Sequence, residues 1–331
     1  MPSADASARP GQIRPGQAGP GWAGPIALRD MGAFHVGGRQ VALTDMPVDS
    51  YQMAQGAPPV RIDRNGRYWV EQMYAQYFLA QSPVCRLPLL FWHGGGMSGA
   101  AWETTPDGRS GWLHYFLRRG WDAYLCDAVE RGRSGFPPVP EVWDAAPVIQ
   151  TAESIRERFR IQYPDTQFPV EAFDALAAQM VPRWVHTDEI ILAGYLALLE
   201  RTGPAVVISH SQSGMFALVA AQRRPDLLRA VVALEPASTP DPESEAGVTP
   251  TLIVVGDHIE DDPRWPRNMA RIRRFADRRP SVRVDWLPAR GIRGNSHMLM
   301  MDRNSLEVAD LVHDWLAGLP ELRAPDGVFA G

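Results

Sequence analysis

A chain of 331 residues with 45% hydrophobic content can bury one large α/β core or two smaller ones, and its net charge of −5 with a pI near 5.9 carries no electrostatic footprint for nucleic acid. All 33 basic residues are arginine, which excludes a Schiff-base lysine, a Ser-Lys dyad and a Walker-type phosphate loop, since each needs an amine. The two cysteines, Cys85 and Cys126, are too few for a disulfide framework or a cysteine metal site, and their apolar surroundings predict buried free thiols.

Residues 1–25 are dominated by Pro, Gly and Ala and read as a disordered arm. They hold Arg9 and Arg14 but no apolar h-region, and no stretch of the chain approaches the roughly 18 apolar residues of a membrane span. Neither a secretory signal nor a span is expected, and the default location is cytoplasmic. From Ile26 to Thr44 the pair Gly37-Gly38 separates two apolar stretches, which predicts a β-hairpin. A strand is expected near Arg67 to Leu79, after the turn signal Arg64-Asn65-Gly66.

The short apolar run Leu87-Pro88-Leu89-Leu90-Phe91-Trp92 suits a strand buried on both faces and ends in His93-Gly94-Gly95-Gly96. A helical pattern from Gly111 to Arg119 and a second buried strand, Asp122 to Cys126, complete a βαβ unit and imply a parallel sheet. Residues 136–186 interrupt this alternation with prolines, aromatics and at least two helical patterns, and read as an inserted cap between core segments 26–135 and 187–331. The alternation resumes with a helix at about Glu189 to Arg201, a strand at Ala205 to Ser209, and a helix from Ser213 that Pro225 stops. Strands follow at Ala230 to Leu234, Thr251 to Val255 and Val282 to Leu287. The helix between the last two, about Arg267 to Arg278, carries arginines that read as a solvated face. The final helix opens with Asn304-Ser-Leu-Glu307, a capping-box pattern, and sets Val308, Leu311, Val312 and Trp315 on one side.

The chemistry centres on Val206-Val207-Ile208-Ser209-His210-Ser211-Gln212-Ser213-Gly214. The β-branched run breaks at small-x-Ser-x-small, the pattern of a nucleophile elbow, where small neighbours permit a strained turn that displays the serine hydroxyl. A serine is a weak nucleophile until a base takes its proton, and eight histidines are available. His210 lies in the elbow itself and is expected to be directed away from the site, while His93 reads as a satisfied loop histidine. His35, His114, His186 and His313 fall before the core sheet, on helices or in the cap. Only His258 and His297 lie in loops after late parallel strands, and His297, between the last strand and the last helix, is the candidate base.

The acid has an unusual slot. In most proteins of this build it stands three residues after the glycine that follows the strand Thr251 to Val255, and here that position is Ile259. The preceding strand instead ends in Leu234-Glu235-Pro236. A single carboxylate where an apolar strand emerges is costly unless paired, and a histidine N–H suits it. Glu235 is assigned to orient His297, with Asp261 as the reserve. The oxyanion formed at an attacked carbonyl needs preorganised donors; the backbone amides of Gln212, at a helix start, and of Gly95, in the glycine-rich loop, are the candidates.

These residues resemble the α/β-hydrolase superfamily over roughly residues 26–320. The chain order Ser211, Glu235, His297 agrees with its nucleophile, acid and histidine order, and His93-Gly94-Gly95 resembles its oxyanion loop. Asp127 to Gly135 is similar to its Asp-x-x-Gly-x-Gly-x-Ser segment, with Glu130 at the place of the first glycine. More narrowly, Trp102 to Arg109, His210-Ser-Gln-Ser-Gly214 and Gly256-Asp-His258 look like a small branch of bacterial carboxylesterases whose acid is a glutamate on the strand after the elbow. That branch is often exported, and its oxyanion loop can carry a cysteine pair where this chain has Gly95-Gly96.

The resemblance implies an α/β-hydrolase fold, a mostly parallel central sheet flanked by helices with an inserted helical cap. It also implies a cofactor-independent serine carboxylesterase working through an acyl-enzyme. A lactonase, acyltransferase or cofactor-free haloperoxidase on the same triad is the alternative, and a non-catalytic ligand-binding relative a further one. The partner expected is a small-molecule ester, without nucleic acid or membrane span, and a homodimer is left open. The cap aromatics Trp143, Phe159, Tyr163, Phe168, Phe173 and Trp184 either wall an apolar pocket or form the cap's own core.

Overall fold

The computed structural model describes residues 24–136, 139, 143, 145–244 and 247–322. The expected arm at residues 1–25 lies almost wholly outside them. The described chain opens with β1 (Leu28–Leu43), passes through a separate antiparallel pair, β2 (Val48–Tyr51) and β3 (Val60–Asp63), and returns as β4 (Gly66–Ala80). The hairpin expected about Gly37-Gly38 does not form. β1 is one continuous strand paired antiparallel to β4 from Leu28↔Ala80 to Leu43↔Gly66. The glycines are absorbed within the ladder: Gly37 and Gly38 have φ of 69° and 80°, and Glu71 on the facing strand has φ of 63°, so both strands kink together. A glycine pair inside a long strand pair gives the same local signal as a turn.

The core follows in alternation: β5 (Leu89–Trp92), α1 (Trp112–Arg118), β6 (Ala123–Asp127), then α2 (Ala152–Arg158) and α3 (Phe173–Ala178) of the interrupting segment, and α4 (Asp188–Thr202). After it come β7 (Ala205–His210), α5 (Gln212–Arg223), β8 (Leu228–Leu234), β9 (Thr251–Val255), α6 (Trp265–Asp277), β10 (Val282–Trp286) and α7 (Ser305–Gly318). The central sheet has eight strands in the order β1-β4-β6-β5-β7-β8-β9-β10, antiparallel at the β1-β4-β6 edge and parallel from β6 to β10. This is the mostly parallel, helix-flanked α/β sheet of an α/β-hydrolase.

Every residue of β5, β7 and β9 is buried, because helices cover both faces of the parallel part. Strand side chains alternate between two cores. Phe91, Ile208, Val232 and Val254 pack with α1 and α7, while Trp92, Val207, Ala233 and Val255 pack with α4, α5 and α6. On the second face Trp92 is fully buried and stacks on Tyr195 of α4, with ring centroids 3.9 Å apart. α5 ends where Pro225 requires, its C-cap Arg224 already off the helical region at φ −136°. The capping box at α7 is not made: Asn304 caps without a side-chain bond, its Oδ1 instead accepting from Asn295 Nδ2 at 2.8 Å. Cys85 and Cys126 are buried and form no disulfide, and burial raises both thiols, as apolar surroundings require.

Glu130 explains its own departure from the glycine pattern. It keeps the left-handed conformation a glycine would take, with φ of 68°, and its buried carboxylate accepts from Arg131 Nη2, Trp143 Nε1, Trp184 N and Thr187 Oγ1. The interrupting segment is thus pinned to the sheet by one buried acid. Trp92→Ala should lower the unfolding free energy by about 3–5 kcal/mol, as other aromatic truncations in cores do. A urea titration followed by circular dichroism measures it, and a loss under about 1 kcal/mol would show that this sheet face does not depend on the Trp92–Tyr195 stack.

Candidate active site

β7 ends at His210 and α5 begins at Gln212, so the single residue between them must reverse the chain. Ser211 does so at φ 54°, ψ −114°, a conformation costly for a residue with a Cβ. Its N–H donates to Leu234 O at 2.9 Å and its carbonyl accepts from Gly214 and Ala237, which lock the turn to the end of β8. The glycine at 214 is a steric requirement: a Cβ there would stand 2.7 Å from Pro236 Cβ. The hydroxyl is thereby set at the N-terminal end of α5, where the helix dipole favours negative charge.

The structure brings Ser211, His297 and Glu235 together. His297 Nε2 lies 2.9 Å from Ser211 Oγ, and its Nδ1 lies 2.5 Å from Glu235 Oε2. A carboxylate can only accept, so Nδ1 carries the proton and the Nε2 lone pair faces the serine hydroxyl. Glu235 follows β8 directly, with its N–H on Val254 O at 2.8 Å and φ of 45°, and its side chain is fully buried. Its second oxygen accepts from Gly256 N at 2.8 Å and from Arg160 Nη2. Burial pushes this carboxyl up, but the Arg160 charge and the His297 hydrogen bond outweigh it and hold it below the usual range. Burial also lowers the His297 imidazole, against the opposing pull of Glu235. The resting pair is a charged acid and a neutral histidine.

The reserve acid is not brought in. Asp261 is 63% exposed at its side chain and faces His258 Nδ1 at 3.5 Å, while Ile259, in the usual slot, is buried in the core. His258 itself stacks on Tyr163 and bonds Asp165 Oδ1 at 2.8 Å. His93 is the satisfied loop histidine expected, bonding Gly94 O through Nδ1 and accepting from Ala128 N at Nε2, and burial lowers it to about 4. The expectation for His210 is corrected. Its ring is not directed away but lies 4.6 Å from the His297 ring, and its Nε2–H donates to His297 O at 2.9 Å. Lowered to about 3 by burial, it is a neutral brace.

Several residues around the site escaped the sequence reading. Arg160, from the segment after α2, is buried, bonds Asp257 O through Nε at 2.8 Å and meets Glu235 with Nη2. Asp302 accepts from Asn295 Nδ2, Ser296 N and Ser296 Oγ, fixing the loop that leads into His297, and burial raises it to about 7. Arg109, in the Trp102 to Arg109 motif, holds Met301 O and Asp302 O on the other side of that loop. The signal available in the sequence was slight, because arginine is the chain's universal cation.

A cavity of about 250 Å³ opens over Ser211 and His297. Gly95 and Gln212 line it, beside the serine. A Cβ at Gly95 would stand 2.8 Å from Arg183 Nη1 and 2.9 Å from Gln212 Oε1, so only a glycine fits there without displacing those side chains. Phe159, Ala237 and Trp265 form its apolar wall, and Gln150, Arg158, Arg183, Arg264 and Asn268 its polar one. Of the six aromatics expected to wall a pocket or to pack together, Phe159 alone reaches the cavity. Trp143 and Trp184 pack on each other, Phe168 and Phe173 join the main core, and Tyr163 stacks on His258.

An eight-stranded α/β sheet with a strained serine directly after the fifth of its strands in sequence, facing a histidine and a buried glutamate, defines the hydrolase class of the α/β type. The comparisons agree. A solved structure described as a novel bacterial esterase is 36% identical, covers 89% of this chain and 97% of its own, and superimposes with a TM-score of 0.77. A probable secreted lipase, phiG, from a fungal species (strain ATCC 74256) is 28% identical over 317 residues, 76% of this chain and 87% of that protein. No protein-family model matches the chain. The chain belongs to the α/β-hydrolase superfamily, among its esterase and lipase-type hydrolases.

Titration of the imidazoles by nitrogen-15 NMR tests the electrostatics of the site. His297 should titrate below its ordinary 6.5, and His210 and His93 should stay neutral down to about 4. The Arg160 charge lowers His297, so Arg160→Met should move its midpoint upward. An unmoved midpoint would show that the guanidinium is not felt at the imidazole.

Proposed function

We propose that the chain is a serine carboxylesterase acting through an acyl-enzyme. The observation that carries this reading is the continuous line of hydrogen bonds Ser211–His297–Glu235 that opens into the cavity. Ser211 Oγ attacks the ester carbonyl while His297 Nε2 takes the hydroxyl proton, and the imidazolium formed is stabilised by Glu235. The tetrahedral oxyanion is received by the backbone amides of Gly95 and Gln212, with the α5 dipole behind the second. Collapse expels the alcohol, which leaves with the proton from His297. Water then enters, gives a proton to His297 and attacks the acyl carbonyl. Release of the acid restores Ser211, with one ester and one water consumed and no cofactor required.

The segment 136–186 acts as the cap. It supplies Gln150, Arg158, Phe159 and Arg183 to the cavity wall, and it supplies Arg160 to the acid. Arg160 keeps Glu235 charged as the imidazolium forms, and the buried neutral state of His297 makes it ready to accept a proton at neutral pH.

Turnover of a short-chain ester tests the roles. Ser211→Ala should abolish measurable hydrolysis, and Glu235→Gln should reduce kcat by about 10³–10⁴, as loss of the orienting acid does in comparable triads. Asp261→Asn should stay within about twofold of the parent, being a surface substitution. kcat/KM should fall with acid as His297 protonates, with a limb below pH 6.5. A fluorophosphonate probe should label Ser211 on peptide mapping; no adduct in folded protein would sink the serine mechanism, and full activity of Glu235→Gln would sink the acid.

A further inference from the structure

The wall of the cavity is charged in one sense only. Arg158, Arg183 and Arg264 line it together with Ser211 and His297, and no Asp or Glu is among the residues that do. The chain as a whole is acidic, at −5, so this is a local arrangement and not a general bias of its surface. Elsewhere in the protein, exposed arginines are commonly paired, as Arg39 is with Glu71, Arg224 with Asp226 and Arg303 with Glu171. In the cavity only Arg264 is, through Asp262.

Among the described residues, the Arg158 and Arg183 guanidiniums have no acceptor and no ion-pair partner. Arg183 Nη1 lies over Gly95, 2.8 Å from where a Cβ would stand, so this charge is beside the oxyanion loop. Arg158 precedes Phe159, and its own carbonyl accepts from Arg264 Nη2 at 3.3 Å, which draws the third guanidinium to the same rim. Burial lowers Arg158, and the charges of Arg264 and Arg183 lower it further, with Asp262 opposing. Arg158 and Arg183, two like charges without an ion-pair partner of their own among the described residues and beside the serine, are complementary to an anion, and a guanidinium fork matches a carboxylate.

We propose that the ester cleaved at Ser211 carries a free carboxylate, held by Arg158 and Arg183 with Arg264 behind them. This rests on the reading of Ser211 as the nucleophile. The carboxylate takes no part in the bonds made or broken. It sets the ester in the cavity, while Phe159, Trp265 and Ala237 receive the apolar carbons between the charge and the carbonyl. The substrate class is then the monoester of a dicarboxylic acid, or the ester of a hydroxy acid, according to which side of the carbonyl bears the charge.

The experiment compares two matched pairs in which a carboxylate replaces a methyl group. Methyl hydrogen glutarate against methyl pentanoate places the charge on the acyl side. The acetate ester of γ-hydroxybutanoate against butyl acetate places it on the alcohol side. In at least one pair the anionic ester should show kcat/KM at least about tenfold higher at low ionic strength, a ratio that shrinks toward one near 1 M salt, where screening reaches within about 3 Å. Arg158→Gln and Arg183→Gln should each cut that ratio at least about threefold, as expected on losing one of two close charges. A ratio at or below one in both pairs, or a high ratio that survives both substitutions, overturns the proposal. Turnover of the neutral esters with a Ser211 adduct but no anionic preference removes this inference alone. If no ester is turned over, calorimetry of the four esters with Ser211→Ala decides: salt-sensitive binding confined to an anionic ester supports it, and its absence overturns it.

Discussion

Burying a carboxylate is costly, and the arrangement around Glu235 is what makes it tolerable at this site. An unpaired charge in an interior loses several kcal/mol of hydration, which only close partners offset. Glu235 has three: the Gly256 amide, the Arg160 guanidinium and the His297 imidazole, which together use both of its oxygens. They come from three separated parts of the chain, the turn after β9, the segment after α2 and the loop before α7. Glu235 is therefore a structural keystone for the loops above the sheet as well as the partner of His297. Losing Arg160 would leave the acid buried without its counter-charge.

The backbone carries the matching strain. Seven non-glycine residues among those described have positive φ, and four of them, Arg160, Ser211, Glu235 and His258, surround this site. Ser211 and Glu235 each occupy the residue directly after a buried parallel strand, and Ser211 N–H bonds Leu234 O while Glu235 N–H bonds Val254 O. The fully buried strands fix where each chain emerges, and the side chain is then aimed by a conformation that a free loop would not keep. Precision at the site is taken from the rigidity of β7, β8 and β9.

Much of this was readable in the sequence because it depends on local pattern. Continuous apolar runs mark strands covered on both faces, and Ser209 and Ser213 mark the small-x-Ser-x-small turn, beside which a Cβ at Gly214 would meet Pro236. Glu235 could be singled out because a lone acid at the end of an apolar strand needs a partner. What stayed hidden depends on long-range pairing. Gly37-Gly38 has the local chemistry of a turn, and only the facing strand turns it into a kink within a ladder. Asn304 has the chemistry of a cap, and Asn295 competes for it. His210 was assigned a direction from its neighbour alone, whereas the loop bearing His297 decides where its Nε2–H goes. Arg160 was invisible because a chain with no lysine gives a buried arginine no contrast.

Residues 158–160 show how closely these demands are packed. Arg158 lines the cavity, and its guanidinium has no acceptor among the described residues. Phe159 forms part of the apolar wall, and its carbonyl receives His297 N–H at 2.8 Å. Arg160, at φ 55°, turns back into the protein to meet Glu235. One turn of chain thus joins the proposed anion site, the backbone of the proposed base and the charge that steadies its acid. Arg158 is exposed beside the cavity, while Arg160, one residue beyond Phe159, is buried against Glu235.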